Sequence, residues 1–591
     1  MCGIHLIWGK GANEAAINAM LQVSQHRGPD QQGSFSPWPG LWIGVNRLKI
    51  LHKGYEADQP FWSPDGRSLL IWNGEIYNYK ELRKLLQQMG VIFITQSDTE
   101  VVLHLLRAFG AEALAKLNGM FALIYVDLIE KSVLVARDQT GEKPLYYAQN
   151  PDTLILSSEC RSIQSLKSSE LNTKQFENYF YLRAPHLGST FFHGTHEWKP
   201  ERYTKILSHT AFRWDQISSK AKSSIEPTFD SFKTTLNEAV LNQFHADVPV
   251  GMQLSGGADS SLLYSIWYKQ TGIPLPTFTI QVEKKYRKKY ADGDAATRFA
   301  IQFPGNPHLI EINQKVFWDN WEAYLKSVDQ PIGDSAGFLT WMIGKEARKS
   351  VKVLISGAGA DELFGGYQRH NAFDIYQKRK DLLLRFQEIL KKMPVGRTYQ
   401  KFILGIDTSP QKTFLNFSGL ENIPDELGED YDRVFDKNLP LYSQMLDFDR
   451  QVYLVQDVLK IQDNALMAHS LEGRSPYLDA SLLTLWRNVN DEKSLKGKPW
   501  IKQYLTELGL NWISNRKKFG FGLPLQEWFS ENGEFSMRVF NSIKMFENSH
   551  GELFPDRMRE IVSRPEHFVK QHFLILYNLF LLAEWVKLHR L

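Results

Sequence analysis

The feature that most restricts this chain lies at residues 248–261, where an apolar run, VPVGMQL, enters Ser255-Gly256-Gly257-Ala258-Asp259-Ser260-Ser261 and continues as a helix-forming stretch. Two adjacent glycines let backbone N–H groups approach a ligand with no Cβ in the way, and the helix start adds the positive end of its dipole. The loop is built for an anion. It is not a Walker A loop, because no Gly-Lys-Ser/Thr follows at the required spacing. Further strands at 276–282 and 351–355 and a helix near 293–302 continue the alternation, which predicts a parallel sheet with helices on both faces. A second glycine-rich turn, Ser356-Gly357-Ala358-Gly359-Ala360-Asp361-Glu362, follows the last of these strands, and beyond Asp374 nearly everything reads as helix.

Residues 1–203 read differently. They are strand-rich, with runs such as Leu69–Asn73, Met120–Val126 and Ser132–Ala136, and with helices at 77–89 and from Ser97 or Asp98 onward. Between the two patterns lies SSKAKSSIEP, residues 218–227, the most linker-like segment of the chain. A chain of 591 residues exceeds what one core usually supports, and the expected division is 1–217 and 228–591.

The 69 basic and 66 acidic side chains are too balanced to imply a nucleic-acid or membrane-surface partner. The local basic stretch Glu283–Tyr290 reads as a solvated or disordered loop rather than a phosphate patch. Two cysteines, Cys2 and Cys160, supply neither a disulfide framework nor a zinc quartet, which favours a reducing, cytoplasmic setting. The N-terminus does not read as a signal peptide, and the apolar stretch Phe573–Val586 is too short to span a bilayer.

The S-G-G-x-D-S pattern resembles the signature of ATP pyrophosphatases, and residues 355–367, ISGAGADELFGGY, resemble the SGEGADELFGGY element of asparagine synthetases. Residues 463–479, DNALMAHSLEGRSPYLD, and 515–524, NRKKFGFGLP, are similar to that family's helix-borne and lysine-bearing segments. The resemblance implies ATP contacts from Leu254, Ser255, Gly256, Gly257, Asp259, Ser260, Ile280, Ser356 and Gly357. It also implies Mg2+ on Asp259 and Asp361, since a triphosphate needs a hard cation with oxygen ligands. Lys518 is implied to steady charge during chemistry, and Arg474 to anchor helices or substrate. One departure stands out. Ala358 occupies the place of the family's usual glutamate, so Glu362, Asp334 or Glu346 does its work, the acceptor differs, or the residue was deliberately replaced.

The N-terminal part resembles class II glutamine amidotransferases. In MCGIHLIWG, removal of Met1 would leave Cys2 bearing both thiol and free α-amine, an amine whose reference pKa near 8 suits a local base. NGEIYN, residues 73–78, resembles the family's oxyanion element, with the Asn73 side chain and the Gly74 N–H as donors. By the same resemblance Arg47 clamps glutamine's carboxylate, Glu75 and Asp98 hold its ammonium, and His26 in HRGPDQQG is a structural loop residue. Cys160 reads as an inert buried thiol.

The chain is thus identified as a member of the glutamine-hydrolysing asparagine synthetase family. What that implies is an N-terminal Ntn-hydrolase αββα sandwich joined to a doubly wound parallel-sheet ATP pyrophosphatase domain with a large helical part. The implied reaction uses glutamine, aspartate and ATP with Mg2+ to make asparagine, AMP and pyrophosphate; an amide ligase for another carboxylate, in natural-product or glycan assembly, is the alternative. No nucleic acid or membrane is expected as a partner, a homodimer is allowed, and residues 370–447 carry no usable motif.

Overall fold

The computed structural model describes residues 2–167, 170–210, 212–217, 226–393, 396–516, 520–531 and 533–589. The linker reading at 218–227 therefore lies mostly outside the described residues.

The N-terminal part forms two antiparallel sheets from β1 (Cys2–Gly9), β2 (Gln31–Trp38), β3 (Leu41–Arg47), β4 (Phe61–Trp62), β5 (Ser68–Ile76), β6 (Gly119–Asp127), β7 (Ser132–Arg137), β8 (Tyr146–Gln149), β9 (Thr153–Ser157), β10 (Thr195–Glu197), β11 (Arg202–Ile206) and β12 (Asp215–Gln216). Their orders are β10-β8-β9-β1-β3-β2 and β12-β11-β7-β6-β5-β4. Strand periodicity decides how they stack. Ile4, Leu6 and Trp8 of β1 face Leu69 and Ile71 of β5 and Ile124 and Val126 of β6 in one buried layer. The alternate positions Leu70, Trp72 and Leu123 pack outward on Val101, Val102 and Leu105 of the helix Asp98–Phe109. Ile7 packs outward on Ile17 and Met20 of the helix Glu14–Val23. The result is the αββα sandwich that the resemblance implied. Ser97 accepts from the Thr99 N–H, so Ser97 and not Asp98 caps the second helix.

The rest is built on a parallel sheet of β13 (Val250–Gln253), β14 (Pro276–Val282), β15 (Asn306–Ile312), β16 (Val353–Ile355) and β17 (Glu472–Arg474), in the order β15-β14-β13-β16-β17. Read from the middle, the chain goes out one way through β14 and β15 and then reverses through β16. The reversal falls between β13 and β16, and in open α/β sheets ligands bind outside the carboxyl ends at that point. The two glycine-rich turns predicted from the sequence leave these two strands.

Two strands were not legible. β15 alternates weakly, and β17 lies inside the 463–479 segment read as helix-borne. There the helix Leu459–Met467 ends, and Glu472, Gly473 and Arg474 pair with Val353, Leu354 and Ile355. Three residues, two of them charged, give no apolar period.

The basic stretch at 283–290 is solvated, its four lysines exposed, and it has carboxylate partners of its own. Lys285 pairs with Glu531 and Lys289 with Glu527, each at 2.6 Å, so the stretch is clasped to the helix Leu525–Ser530 and the residue after it. Phe573–Val586 lies within the helix Pro565–His589, where Leu576, Phe580 and Trp585 are buried. Among the described residues no helix is long and apolar enough to cross a membrane.

Candidate active sites

Cys2 opens β1 and is buried where the two antiparallel sheets face each other. Its backbone nitrogen donates to Asn73 Oδ1 at 2.9 Å. The Asn73 Nδ2 is buried and has no acceptor among the described residues. An unpaired amide N–H2 in that position costs free energy, on the order of 1–3 kcal/mol, unless something else receives it. Next to it, a Cβ on Gly74 would stand 2.5 Å from the Met120 carbonyl oxygen and 2.8 Å from Phe121 Cβ, so no other residue fits. Two residues the sequence did not single out complete the frame. Gln59 Nε2 stands 4.0 Å from the Cys2 sulfur while its Oε1 accepts from the Trp72 N–H at 2.8 Å. Arg27 Nε donates to the Cys2 carbonyl oxygen at 3.1 Å.

The residues implied to hold glutamine divide. Arg47 lies opposite Cys2 in the β1–β3 register, and its guanidinium donates to Asp58 at 2.7 Å and to the Leu51 and His52 carbonyls at 3.3 and 3.0 Å. Asp98 accepts from the Ile76 N–H at 3.1 Å, and burial pushes its carboxyl up to about 6. Glu75, also pushed up by burial, is engaged by Arg474 Nη2 at 2.5 Å. Arg474 therefore does more than anchor its own helices: it also donates to Glu472 and to the Gln243 and His245 carbonyls, tying β17 to the strand that carries Asn73. His26 pairs with Glu159 at 2.9 Å and its carbonyl accepts from Ser470, contacts that shape the loop.

At the second site Gly256 has φ +65°, and a Cβ there would meet Ala295 and Ala296 at 2.7 Å; only glycine makes this turn without strain. The Ser255 hydroxyl accepts from the Gly257 N–H at 3.2 Å, and the Ser260 hydroxyl accepts from the Ser255 N–H at the same distance. Leu254 is buried at the end of the strand, its carbonyl accepting from Thr279, and Ile280 is buried two residues from its carboxyl end on β14. Ser356 donates to Gln462 at 2.5 Å, and its N–H donates to the Arg474 carbonyl at 2.9 Å. A Cβ on Gly357 would lie 3.1 Å from Asp259 Cβ, so the two glycine-rich turns touch.

Asp259 and Asp361 converge on one point. That point is held by Lys498 Nζ, 2.7 Å from both oxygens of Asp259 and from one of Asp361, and the two carboxylates push the ammonium up against its burial. No motif pointed to Lys498. Two carboxylate groups fit a hard divalent cation that takes its other ligands from phosphate and water, and such a cation would have to displace the Lys498 ammonium from the point between them; no cluster of three or more metal-binding side chains exists among the described residues. Lys518 lies outside the described residues, but Arg516 of the same segment donates to the Gly256 carbonyl at 3.1 Å and to Asp292 at 2.8 Å.

The candidates to replace the missing glutamate at Ala358 separate clearly. Glu346 sits at the surface, paired with Lys349. Asp334 accepts from the Ala336 N–H at 2.9 Å, at the start of the helix Ala336–Ala347. Glu362 is buried, accepts from the Tyr367 hydroxyl at 2.5 Å, and is pushed up to about 7 by burial and by Asp361 beside it. Asp457, which the sequence did not flag, is likewise pushed up to about 7 by burial and Asp334, on a π-helical turn at Leu454–Val458 beside Arg183. Wider helical turns of this kind recur at functional sites.

The two sites are joined. Arg27 forks onto Asp463 at 2.8 and 3.1 Å from the Cys2 side, and Arg474 reaches Glu75 from the other. Between them a small cavity is lined by Glu142, Lys143, Leu459, Gln462, Asp463 and Gly473.

An αββα sandwich with a cysteine opening an inner strand, packed on a doubly wound sheet with anion loops at its switch point, defines a glutamine amidotransferase unit joined to a nucleotide-binding ligase unit. The glutamine amidotransferase domain family matches residues 1–214, and the asparagine synthase family matches residues 231–587. The chain belongs to the asparagine synthase family. It is 29% identical over 570 residues to the glutamine-hydrolysing asparagine synthetase 1 of Bacillus subtilis, covering 89% of this chain and 88% of that one. It is 30% identical over 432 residues to a putative glutamine-hydrolysing asparagine synthetase of Methanocaldococcus jannaschii, covering 67% of this chain and 81% of that one. At 24% identity over 588 residues and 87% of both chains it also resembles the amidase chry2 of Gibberella zeae.

Proposed function

We propose that the chain is a glutamine-dependent amide synthetase in which residues 1–217 release ammonia and residues 228–591 spend ATP to activate a carboxylate, aspartate by default. One observation carries the reading: Asn73 accepts from the Cys2 nitrogen and keeps its buried N–H2 without an acceptor among the described residues.

The chemistry follows from that placement. With Met1 removed, the Cys2 amine takes the thiol proton and the sulfur attacks the amide carbon of glutamine, whose α-ammonium Asp98 holds. Charge gathers on the carbonyl oxygen, where the Asn73 N–H2 and the Gly74 N–H receive it; the proton goes to the leaving nitrogen and a thioester remains. Water then cleaves the thioester to glutamate. At the second site the turns after β13 and β16 cradle the phosphates, and Asp259 and Asp361 would hold Mg2+, which offsets phosphate charge. The carboxylate attacks the α-phosphorus, pyrophosphate leaves, and ammonia displaces AMP from the acyl-adenylate. Ammonia released to water at neutral pH becomes ammonium, which has no lone pair to attack, so the nitrogen must travel inside.

Ala358 favours a second reading, an amide ligase for another carboxylate acceptor. In either reading Cys2→Ala abolishes glutamine-dependent AMP release and leaves AMP release driven by added ammonium salts intact. Loss of both together contradicts the division of labour. Pyrophosphate exchange across a panel of carboxylates then separates the readings, since exchange that ignores aspartate removes asparagine as the product.

A further inference from the structure

Residues 374–401 take no part in either site, yet they hold eight lysines and arginines against three acidic residues, an excess larger than the net +3 of the whole chain. They run through the helix Gln368–Lys391, which breaks at Arg379 (φ −131°, ψ 19°), and into the helix Arg397–Gly405. Before the break His370, Phe373 and Tyr376 are buried; from Asp381 to the end of the helix no residue is. The inner side of this second part, Leu383, Leu384, Gln387 and Leu390, is half-buried, and Gln387 ties it to the Ile403 and Ile406 carbonyls. A surface helix should then turn charge outward. This one turns out Leu382, Phe386, Ile389 and, just past its end, Met393, at i, i+4, i+7 and i+11, exposed by 55%, 40%, 62% and 49%. Tyr399 and Leu404 on the neighbouring helix are exposed as well.

Arg379, Arg385 and Lys392 border the stripe, with Asp381 on the flank of the last two. Arg379, Lys380, Arg385 and Lys392 form no ion pair among the described residues, whereas Lys378 and Lys391 are already paired with Asp374 and Glu388. An exposed apolar stripe rimmed by charge marks a contact surface. A second copy packed about a twofold axis would set this positive segment against itself, and like charges across an interface oppose it. An anionic bilayer satisfies both halves of the pattern at once, since acyl chains accept the apolar stripe and headgroup phosphates accept the arginines and lysines. We propose that the outer face of residues 380–393 docks on the surface of an anionic lipid bilayer, seating the enzyme peripherally with neither active site involved. The balanced charge of the whole chain hides this segment, which is why composition argued against a membrane partner.

The test is co-sedimentation of the full-length protein with phosphatidylcholine vesicles, with and without phosphatidylglycerol, at low and high salt. Wild type should sediment with the anionic vesicles only and be released by salt. A Leu382→Gln/Phe386→Gln/Ile389→Gln variant and an Arg385→Glu/Lys392→Glu variant should each lose about tenfold in vesicle affinity while keeping glutaminase activity. Absence of binding to anionic vesicles overturns the proposal, as does undiminished binding by both variants. So does a wild-type dimer, seen by sedimentation velocity, that the stripe variant converts to monomer without any vesicle binding, because the face is then covered by a second copy.

Discussion

Asn73 has two jobs at one amide, accepting from the Cys2 nitrogen and offering N–H2 where oxyanion charge would develop. Asn73→Ala should therefore lower kcat for glutamine hydrolysis by about a hundred- to a thousandfold, as loss of one such donor does elsewhere, with a much smaller change in KM; steady-state glutaminase kinetics read the split. Asp98 supplies a pH dependence. Burial raises its carboxyl to about 6, so the anion that would hold an ammonium is fully formed only above that value and is lost as pH falls through it. KM for glutamine should climb below about pH 6, and Asp98→Asn should raise KM at neutral pH and flatten that acid limb. Much of this site was legible because its residues stand in contiguous motifs. Gln59 and Lys498 were not, since each reaches its place through tertiary packing alone: Gln59 from the loop before β4, Lys498 from a helix start 239 residues from Asp259.

Elements decide what those side chains meet. The turns after β13 and β16 were readable because each has a position, Gly256 (φ +65°) and Gly359 (φ +91°), that only glycine fills without strain, and because a strand-loop-helix sequence leaves few folds open. β17 was unreadable, though it matters as much: its Arg474 backbone holds Ser356, and its guanidinium holds Glu75. Removing one member of a buried ion pair strands the other, so Arg474→Met should destabilise the protein by about 3–5 kcal/mol. Glu75→Gln in that background should recover part of the loss, and denaturant melts of the two variants measure it. Lys498 bridges the helix start at Asp259 and the turn at Asp361. Lys498→Met should lower AMP release by about a hundredfold and leave glutamine hydrolysis in place, an outcome that paired assays on one preparation show directly.

At the scale of the whole molecule the two candidate sites are tied together by buried side chains. Among the described residues Arg27 runs from the Cys2 carbonyl to Asp463 on the helix Leu459–Met467, and Ile7, Ile17 and Met20, outside β1, belong to the same buried cluster as the core of the C-terminal part. The expectation of two units joined by a polar segment is compatible with this, but sequence has no way to announce that two cores become continuous. Nitrogen released at Cys2 should reach the acyl-adenylate without mixing with solvent. The most direct measurement supplies glutamine labelled with nitrogen-15 in its amide together with excess unlabelled ammonium and reads the isotope in the amide product by mass spectrometry. The product should carry the glutamine label undiluted; a label matching the bulk ammonium pool would show instead that the nitrogen passes through solvent.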